Sequence, residues 1–332
     1  MNAPITITET NKYTNKTIFA KKDVEIIDKA IMQILSEADT SIRPILKHIL
    51  YSGGKRVRPL LIIKSGECFG TNNYTKLINA ALSFELIHMA SLVHDDIIDT
   101  SEKRHGKATV NLVWGTHCAV LIGDYLFAKA LGILRSFDLF SCFKEAVLCI
   151  EQMSEGEIYQ YNNKFNIDIN IEVYFNTIYK KTACLMSSCC KCGAMISNAS
   201  DNQIECLENF GLNLGYAFQI TDDILDFIGR EEIMGKPVGH DILQGQATLP
   251  LILFNNDIKC KQTAGKVFNA QSSKDELSAL VGAICESDAI QKSKFITALH
   301  IEKAKSALTD ISPSISKDML LELSDNLLER TM

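Results

Sequence analysis

The sequence predicts an all-α fold, a single-domain helical bundle around a central cavity, and three observations carry that prediction. Apolar residues return at three- and four-residue intervals through 77–92, 120–134, 142–158 and 207–227. No regular strand alternation recurs, and 6 prolines and 18 glycines are few for 332 residues. Apolar residues make up 46% of the chain, ample for a core at this length.

Taken in order, residues 1–20 are rich in Thr and Asn and lack an apolar signal core, so they read as a mobile leader to one domain over 21–332. Helices are expected over 22–37 and 42–51. Gly53-Gly54 then breaks the chain, and Pro59 sits where a first helical turn tolerates it. That next helix runs to Cys68 and stops at Gly70 and the polar turn Thr71-Asn72-Asn73. A long helix from Tyr74 ends in an acidic cluster, followed by a loop over 101–109 holding Lys103, Arg104, His105 and Lys107. Further helices run to Leu134, to Tyr159, over 171–197 and over 203–227, the last ending in a second acidic cluster. A Gly-rich segment, 229–245, precedes a helix starting at Thr248-Leu249-Pro250. Two or three amphipathic helices, broken near Ser312-Pro313, complete the chain. No composition shift marks a domain boundary.

Composition excludes some classes of function. A net charge of −6 with scattered Lys and Arg gives no footprint for nucleic acid. The 11 cysteines fit a reducing cytoplasm, and Cys184, Cys189, Cys190 and Cys192 lack paired metal-ligand spacing, so buried helix packing is expected of them. Asp124 and Lys129 interrupt the longest apolar run, so no membrane span is expected.

The two acidic clusters are Asp95-Asp96-Ile97-Ile98-Asp99 and Asp222-Asp223-Ile224-Leu225-Asp226. Helical spacing stacks Asp95 on Asp99 and Asp222 on Asp226, a crowding of like charge that calls for a cation. Hard oxygen donors without matching Cys or His favour Mg²⁺ over Zn²⁺. Both clusters end long helices, so antiparallel neighbours would set them face to face across a bundle cavity. A basic set complements them. Lys55, Arg56 and Arg58 lie in Gly53-Gly54-Lys55-Arg56-Val57-Arg58-Pro59, beside exposed helix-start N–H groups suited to phosphate. Lys180-Lys181-Thr182, Gly235-Lys236-Pro237 and Arg104 add further cations.

With these elements in order, and with His88 to Asp96, Gly123-Asp124-Tyr125-Leu126, Glu155-Gly156-Glu157 and Gln219, the chain resembles the trans-isoprenyl diphosphate synthases from about Ile42 onward. Residues 85–96 and 235–250 look most like the large, catalytic subunit of bacterial heptaprenyl diphosphate synthase. The resemblance implies an isoprenoid-synthase bundle that adds isopentenyl diphosphate repeatedly to an allylic diphosphate, farnesyl or shorter, giving a long all-trans product for quinone side chains. It implies that Asp95 and Asp99 hold metal on one wall and Asp222 on the other, with Asp226 supporting. Mg²⁺ is the implied cofactor, about three ions with substrate bound. Arg104, Lys181 and Lys236 would bind the allylic diphosphate, and Lys55, Arg58 and His88 that of isopentenyl diphosphate. Lys181, Thr182 and Gln219 would stand at the reacting centre. The small residues Ala90 and Ser91 would leave the path of a growing chain open.

Two positions depart from the family pattern. His105 stands where an Arg usually serves isopentenyl diphosphate, which would make that affinity weaker or pH-dependent. Gln246 stands where the family usually has a Lys before Thr-Leu-Pro; heptaprenyl-type large subunits also tend to carry an amide there, so the resemblance makes it a subfamily mark. A homodimer, or a heterodimer with a small regulatory subunit, and a cytoplasmic location are also implied. Octaprenyl, solanesyl and geranylgeranyl synthases are the alternatives in chain length. A class I terpene cyclase fits poorly, because it binds one diphosphate and does not need Lys55 and Arg58. A non-catalytic partner subunit fits poorly, because both acidic clusters are intact.

Overall fold

The computed structural model describes residues 10–50, 55–70, 73–104, 106–229, 238–269 and 271–329. Helix α1 covers Thr10–Glu37, so helical backbone begins twelve residues before the expected Lys22 and takes up half of the anticipated leader. α2 (Arg43–Leu50) and α3 (Val57–Glu67) follow. α3 opens on Arg56 in the left-handed region, φ 51° and ψ 38°. That costly conformation is held by ion pairs from its guanidinium to Glu85 at 2.9 Å and Asp28 at 3.2 Å. Arg56 is thereby a structural cation and not a third free phosphate donor.

α4 (Tyr74–Ile98) is apolar around its whole circumference and is accordingly central, with Leu77, Ala80, Ala81, Phe84, Leu86, Ile87 and Ala90 all at 0% exposure. The expected loop after it is instead a two-stranded ribbon, β1 (Lys103–Arg104) antiparallel to β2 (Lys107–Ala108). Arg104 is fixed on that ribbon by its pairing with Lys107. α5 (Val110–Trp114), α6 (Thr116–Ser136) and α7 (Phe140–Asn162) come next. By length and composition α4 and α6 could each cross a membrane, once one or two charges are tolerated. The most apolar window of α4 is 67% buried inside the bundle, whereas that of α6 is 33% buried.

The single helix expected over 171–197 is two helices, α8 (Ile171–Ile178) and α9 (Cys184–Ile196), joined by a π-helical turn at Tyr179–Ala183. Periodicity does not register this turn, because one extra residue leaves the apolar pattern on either side intact. α9 carries Cys184, Cys189, Cys190 and Cys192, all buried, in keeping with helix packing.

α10 (Asp201–Ile228) starts at a capping box in which Ser200 and Gln203 satisfy each other's backbone N–H groups. α9 packs against both α4 and α10, so it stands between the two helices that end in acidic clusters. Both clusters nevertheless line one cavity at the C-terminal ends of α4 and α10, which antiparallel neighbours, with their C-termini at opposite ends, would not allow.

The Gly-rich segment itself carries a short helix, α11 (His240–Leu243), and after it come α12 (Leu249–Phe254), α13 (Ile258–Val267), α14 (Lys274–Glu286), α15 (Ala289–Ala307) and α16 (Ile315–Glu329). The break near Ser312-Pro313 falls between α15 and α16. A buried Lys64 reaches Asp23 at 2.6 Å and Glu67 at 2.7 Å, and Ser316 also donates to Glu67, so α1 and α16 are both tied to α3. A second apolar cluster, including Ile220, Ile224, Phe227, Leu249 and Leu280, supports the acidic end of α10 from below.

Candidate active site

Two adjoining cavities open at the C-terminal ends of α4 and α10. The first, about 450 Å³, is lined by Asp95 and Asp99 from one side and by Asp222, Asp223 and Asp226 from the other. Lys181, Thr182 and Gln219 lie on the same lining. The second, about 540 Å³, is lined by Lys55, Arg58, His88, Arg104 and Lys107. Arg58, His88, Arg104 and Asp222 border both. The expected acidic and basic sets are thus brought together, and they are sorted into neighbouring compartments. His105, Lys236, Gly235, Gly53 and Gly54 lie outside the described residues.

Burial makes the acidic wall electrostatically expensive. The Asp95 carboxyl is pushed up to about 7 by burial, with repulsion from Glu157 and Asp99 adding and Lys181 and Arg104 opposing. For Lys181, burial favours the neutral amine, but Glu157 and Asp95 outweigh it and hold the lysine charged. Its Nζ contacts Glu157 at 2.9 Å and Gln160 at 3.2 Å. Arg104 pairs with Asp96 through both Nε, at 2.9 Å, and a terminal nitrogen, at 2.8 Å. Asp96, which sequence reasoning left without a role, is therefore the anchor of the ribbon arginine.

Arg58 is drawn below the ordinary arginine range by burial, against the opposing pull of Glu85 and Asp222, and its Nε is buried with no hydrogen-bond partner among the described residues. A partly buried guanidinium with an unspent donor at a cavity wall suits an anion.

The π turn sets Lys181 and Thr182 on the cavity side, and two glycines let neighbouring helices press against it. A Cβ on Gly215 of α10 would lie 2.5 Å from Ala183 Cα, and one on Gly156 of α7 would lie 2.8 Å from Lys180 Cβ. This is the structural content of the Glu155-Gly156-Glu157 element. The C-terminus of α10 is held in turn by α11: Asp241 N–H donates to Asp226 Oδ2 at 3.1 Å, and Gly239 N–H to the Asp226 carbonyl at 2.8 Å. Asp226 thus has a supporting bond from the main chain. Gln246 borders the acidic cavity, and its N–H donates to the Asp241 carbonyl at 2.8 Å. Asp241 and Tyr174, which also line this cavity, carry no motif signal in the sequence.

The model of the family described as polyprenyl synthetase matches residues 39–284. The chain belongs to the polyprenyl synthetase family. Its chemistry is that of a polyprenyl diphosphate synthase, a prenyltransferase. It is 33% identical over 306 residues to heptaprenyl diphosphate synthase component 2 of Bacillus subtilis, covering 92% of this chain and 87% of that one. It is 33% identical over 231 residues to the octaprenyl diphosphate synthase of Escherichia coli, covering 70% of this chain and 71% of that one. Among solved structures, a heptaprenyl diphosphate synthase from Staphylococcus aureus superposes with a TM-score of 0.89 at 31% identity, covering 94% and 99% of the two chains. A polyprenyl synthase from Caulobacter crescentus, complexed with calcium and isoprenyl diphosphate, superposes with a TM-score of 0.90 at 29% identity, covering 99% and 100%.

A divalent metal belongs to this family's chemistry, and the donors here fit one. Among the described residues no three carboxylate, imidazole or thiol side chains converge on a single point. The acidic walls therefore suit ions that complete their coordination with substrate oxygens. Asp95 supplies a test. A carboxyl raised from 3.8 to about 7 keeps its proton on folding, so its contribution to stability is present below pH 4 and is lost as pH rises through 7. A cation that replaces the proton reverses this loss. Added Mg²⁺ is expected to raise the melting temperature more at pH 8 than at pH 6. Equal increments at both values would contradict the role given to Asp95.

Proposed function

We propose that this chain elongates an allylic diphosphate with isopentenyl diphosphate to a long all-trans polyprenyl diphosphate of heptaprenyl type, for attachment to a quinone ring. The single observation that carries this reading is the sharing of Arg58, His88, Arg104 and Asp222 between a carboxylate-lined cavity and a basic one. Two diphosphates can then lie side by side, as a condensation requires and a one-substrate cyclase does not.

Asp95, Asp99 and Asp222 would hold Mg²⁺, about three ions with substrate, and Asp226 supports them. The bound metal supplies charge neutralisation for the departing diphosphate. Lys181 and Arg104, with Lys236, bind that leaving group. Lys55, Arg58 and His88, with His105, orient isopentenyl diphosphate so that its double bond faces the allylic carbon. As the allylic C–O bond breaks, its electron pair leaves with the diphosphate, and the oxygens of Thr182 and Gln219 face the positive carbon. The double bond attacks, a C–C bond forms, and the proton lost from the adduct passes to the departed diphosphate.

Chain length rests on the floor beneath the acidic wall. Of the two small residues read from the sequence, Ser91 lines the acidic cavity one turn below Asp95, while Ala90 is fully buried in the core. The place of Ser91 on the lining supports a path for the growing chain along this face of α4. Ser91→Phe is expected to shorten the product by several isoprene units, with a much smaller change in the first condensation rate, because core packing leaves a phenyl ring no room to step aside. An unchanged product length would remove Ser91 from the path.

A dimer, with itself or with a small subunit, is the proposed assembly. α6 and α7 carry Leu121, Phe140, Leu148, Ile158 and Tyr161 with 63, 60, 51, 64 and 66% exposure, a concentration unusual on a lone surface. The test of the whole reading is the chain purified alone with Mg²⁺, isopentenyl diphosphate and farnesyl diphosphate, with product length read by chromatography. A long polyprenyl product is expected. A product that stops at geranylgeranyl length would overturn the long-chain reading, and activity gained only with a small subunit would decide for the heterodimer.

A further inference from the structure

Asp223 is the member of the second acidic cluster that metal binding leaves without a task. It is 3% exposed, and both its oxygens are engaged. The Tyr174 hydroxyl donates to Oδ2 at 2.6 Å, and Gln219 Nε2 donates to Oδ1 at 2.9 Å. The Thr182 hydroxyl donates to Gln219 Oε1 at 2.7 Å. Two consecutive hydrogen bonds thus run in one sense, from the cavity wall at Thr182 through Gln219 to the carboxylate, and the Tyr174 hydroxyl meets that carboxylate from the other side.

That sense is dictated by chemistry. A carboxylate oxygen that accepts from Gln219, as Asp223 Oδ1 does, meets the amide through its NH₂, and the opposite flip would set the amide oxygen against an acceptor. The amide oxygen is then committed to the Thr182 proton. What Thr182 has left for the cavity is its lone pairs. Tyr174 makes the arrangement rigid. It is 4% exposed and packs among Ile220, Ile224 and Phe227, so its hydroxyl meets Asp223 from a fixed ring. In low-dielectric surroundings such linked hydrogen bonds polarise one another, which carries carboxylate charge toward the Thr182 oxygen.

We propose that Tyr174 and Asp223 are positioning residues that act through Gln219 and Thr182, fixing proton-free oxygen lone pairs toward the carbon that turns positive when the allylic diphosphate departs. This rests on the proposed ionisation of an allylic diphosphate in this cavity. Dipoles set in advance need no reorganisation as the charge develops. Without the Tyr174 hydroxyl the carboxylate can rotate and the Gln219 amide can flip. The Thr182 proton can then face the cation and oppose it.

The experiment measures the single-turnover rate of the first condensation, which separates chemistry from product release, alongside KM for both diphosphates and the activating Mg²⁺ concentration. Tyr174→Phe is expected to lower that rate about tenfold, as for loss of one hydrogen bond to a charged group, with KM and Mg²⁺ requirement within about twofold of wild type. In a Thr182→Val background the same substitution should cost less than about twofold, because the oxygen it orients is gone. Asp223→Asn, of equal shape, should reproduce the rate loss and stands in should Tyr174→Phe fold poorly. Additive losses in the double variant, or a defect confined to KM or to Mg²⁺ requirement, would overturn the inference and leave Tyr174 as support for the acidic wall. A wild-type chain unable to ionise an allylic diphosphate would remove the reading beneath the inference, and the inference with it.

Discussion

Asp95→Ala and Asp222→Ala are each expected to lower turnover by about three orders of magnitude or more while leaving the helical fold intact. On the proposed function, each removes a metal ligand from a wall that stabilises charge as the diphosphate leaves. Neither carboxylate is needed for folding. The partly buried Asp95 carboxyl is raised to about 7, so its removal relieves repulsion from Glu157 and Asp99. The check is a steady-state assay at saturating Mg²⁺ together with thermal unfolding. A variant that keeps more than about a tenth of the wild-type rate would remove that residue from the metal site.

The second large effect is expected at a residue that carries no charge. Gly215→Ala places a methyl 2.5 Å from Ala183 Cα and 2.9 Å from Ala183 Cβ. Both atoms belong to the closely packed π turn, so neither can swing aside as the end of a flexible side chain would. Either α10 retreats or the turn moves, and Lys181 and Thr182 move with it. A displacement of about an ångström at positioned groups costs on the order of a hundredfold in rate. Overpacking should also lower stability by about 1–3 kcal/mol. Turnover and melting temperature together decide the matter. A Gly215→Ala enzyme with wild-type turnover would show that the turn does not set the positions of Lys181 and Thr182.

The sequence made the bundle legible because its apolar residues recur at helical spacing and its breaks fall at Gly, Pro and polar turns. The ends of α4 and α10 were legible for a further reason, since each terminates in a charge cluster that no buried helix would carry without a partner. Three features were not legible. The π turn changes no periodicity. The 103–108 ribbon has strands of two residues, too short for any alternation to register. Arg56 is indistinguishable in type from Lys55 and Arg58, yet its guanidinium is engaged by Glu85 and Asp28. The site shows the same division. Asp95, Asp99, Asp222, Lys181, Thr182 and Gln219 belong to motifs that chemistry can interpret. Tyr174 and Asp241 reach the cavity only because α8 and α11 fold over the end of α10, and nothing local to either residue announces it.

The central claim is that two acidic walls, at the ends of helices separated by α9, grip one diphosphate through shared metal ions. The most direct measurement is anomalous diffraction from crystals grown with Mn²⁺ and a non-ionisable thio-analogue of the allylic diphosphate. The account predicts Mn²⁺ peaks against both Asp95 and Asp222, with analogue phosphate oxygens bridging them. Peaks confined to one wall, or an analogue diphosphate seated against Lys55 and Arg58 with no ion beside it, would contradict it.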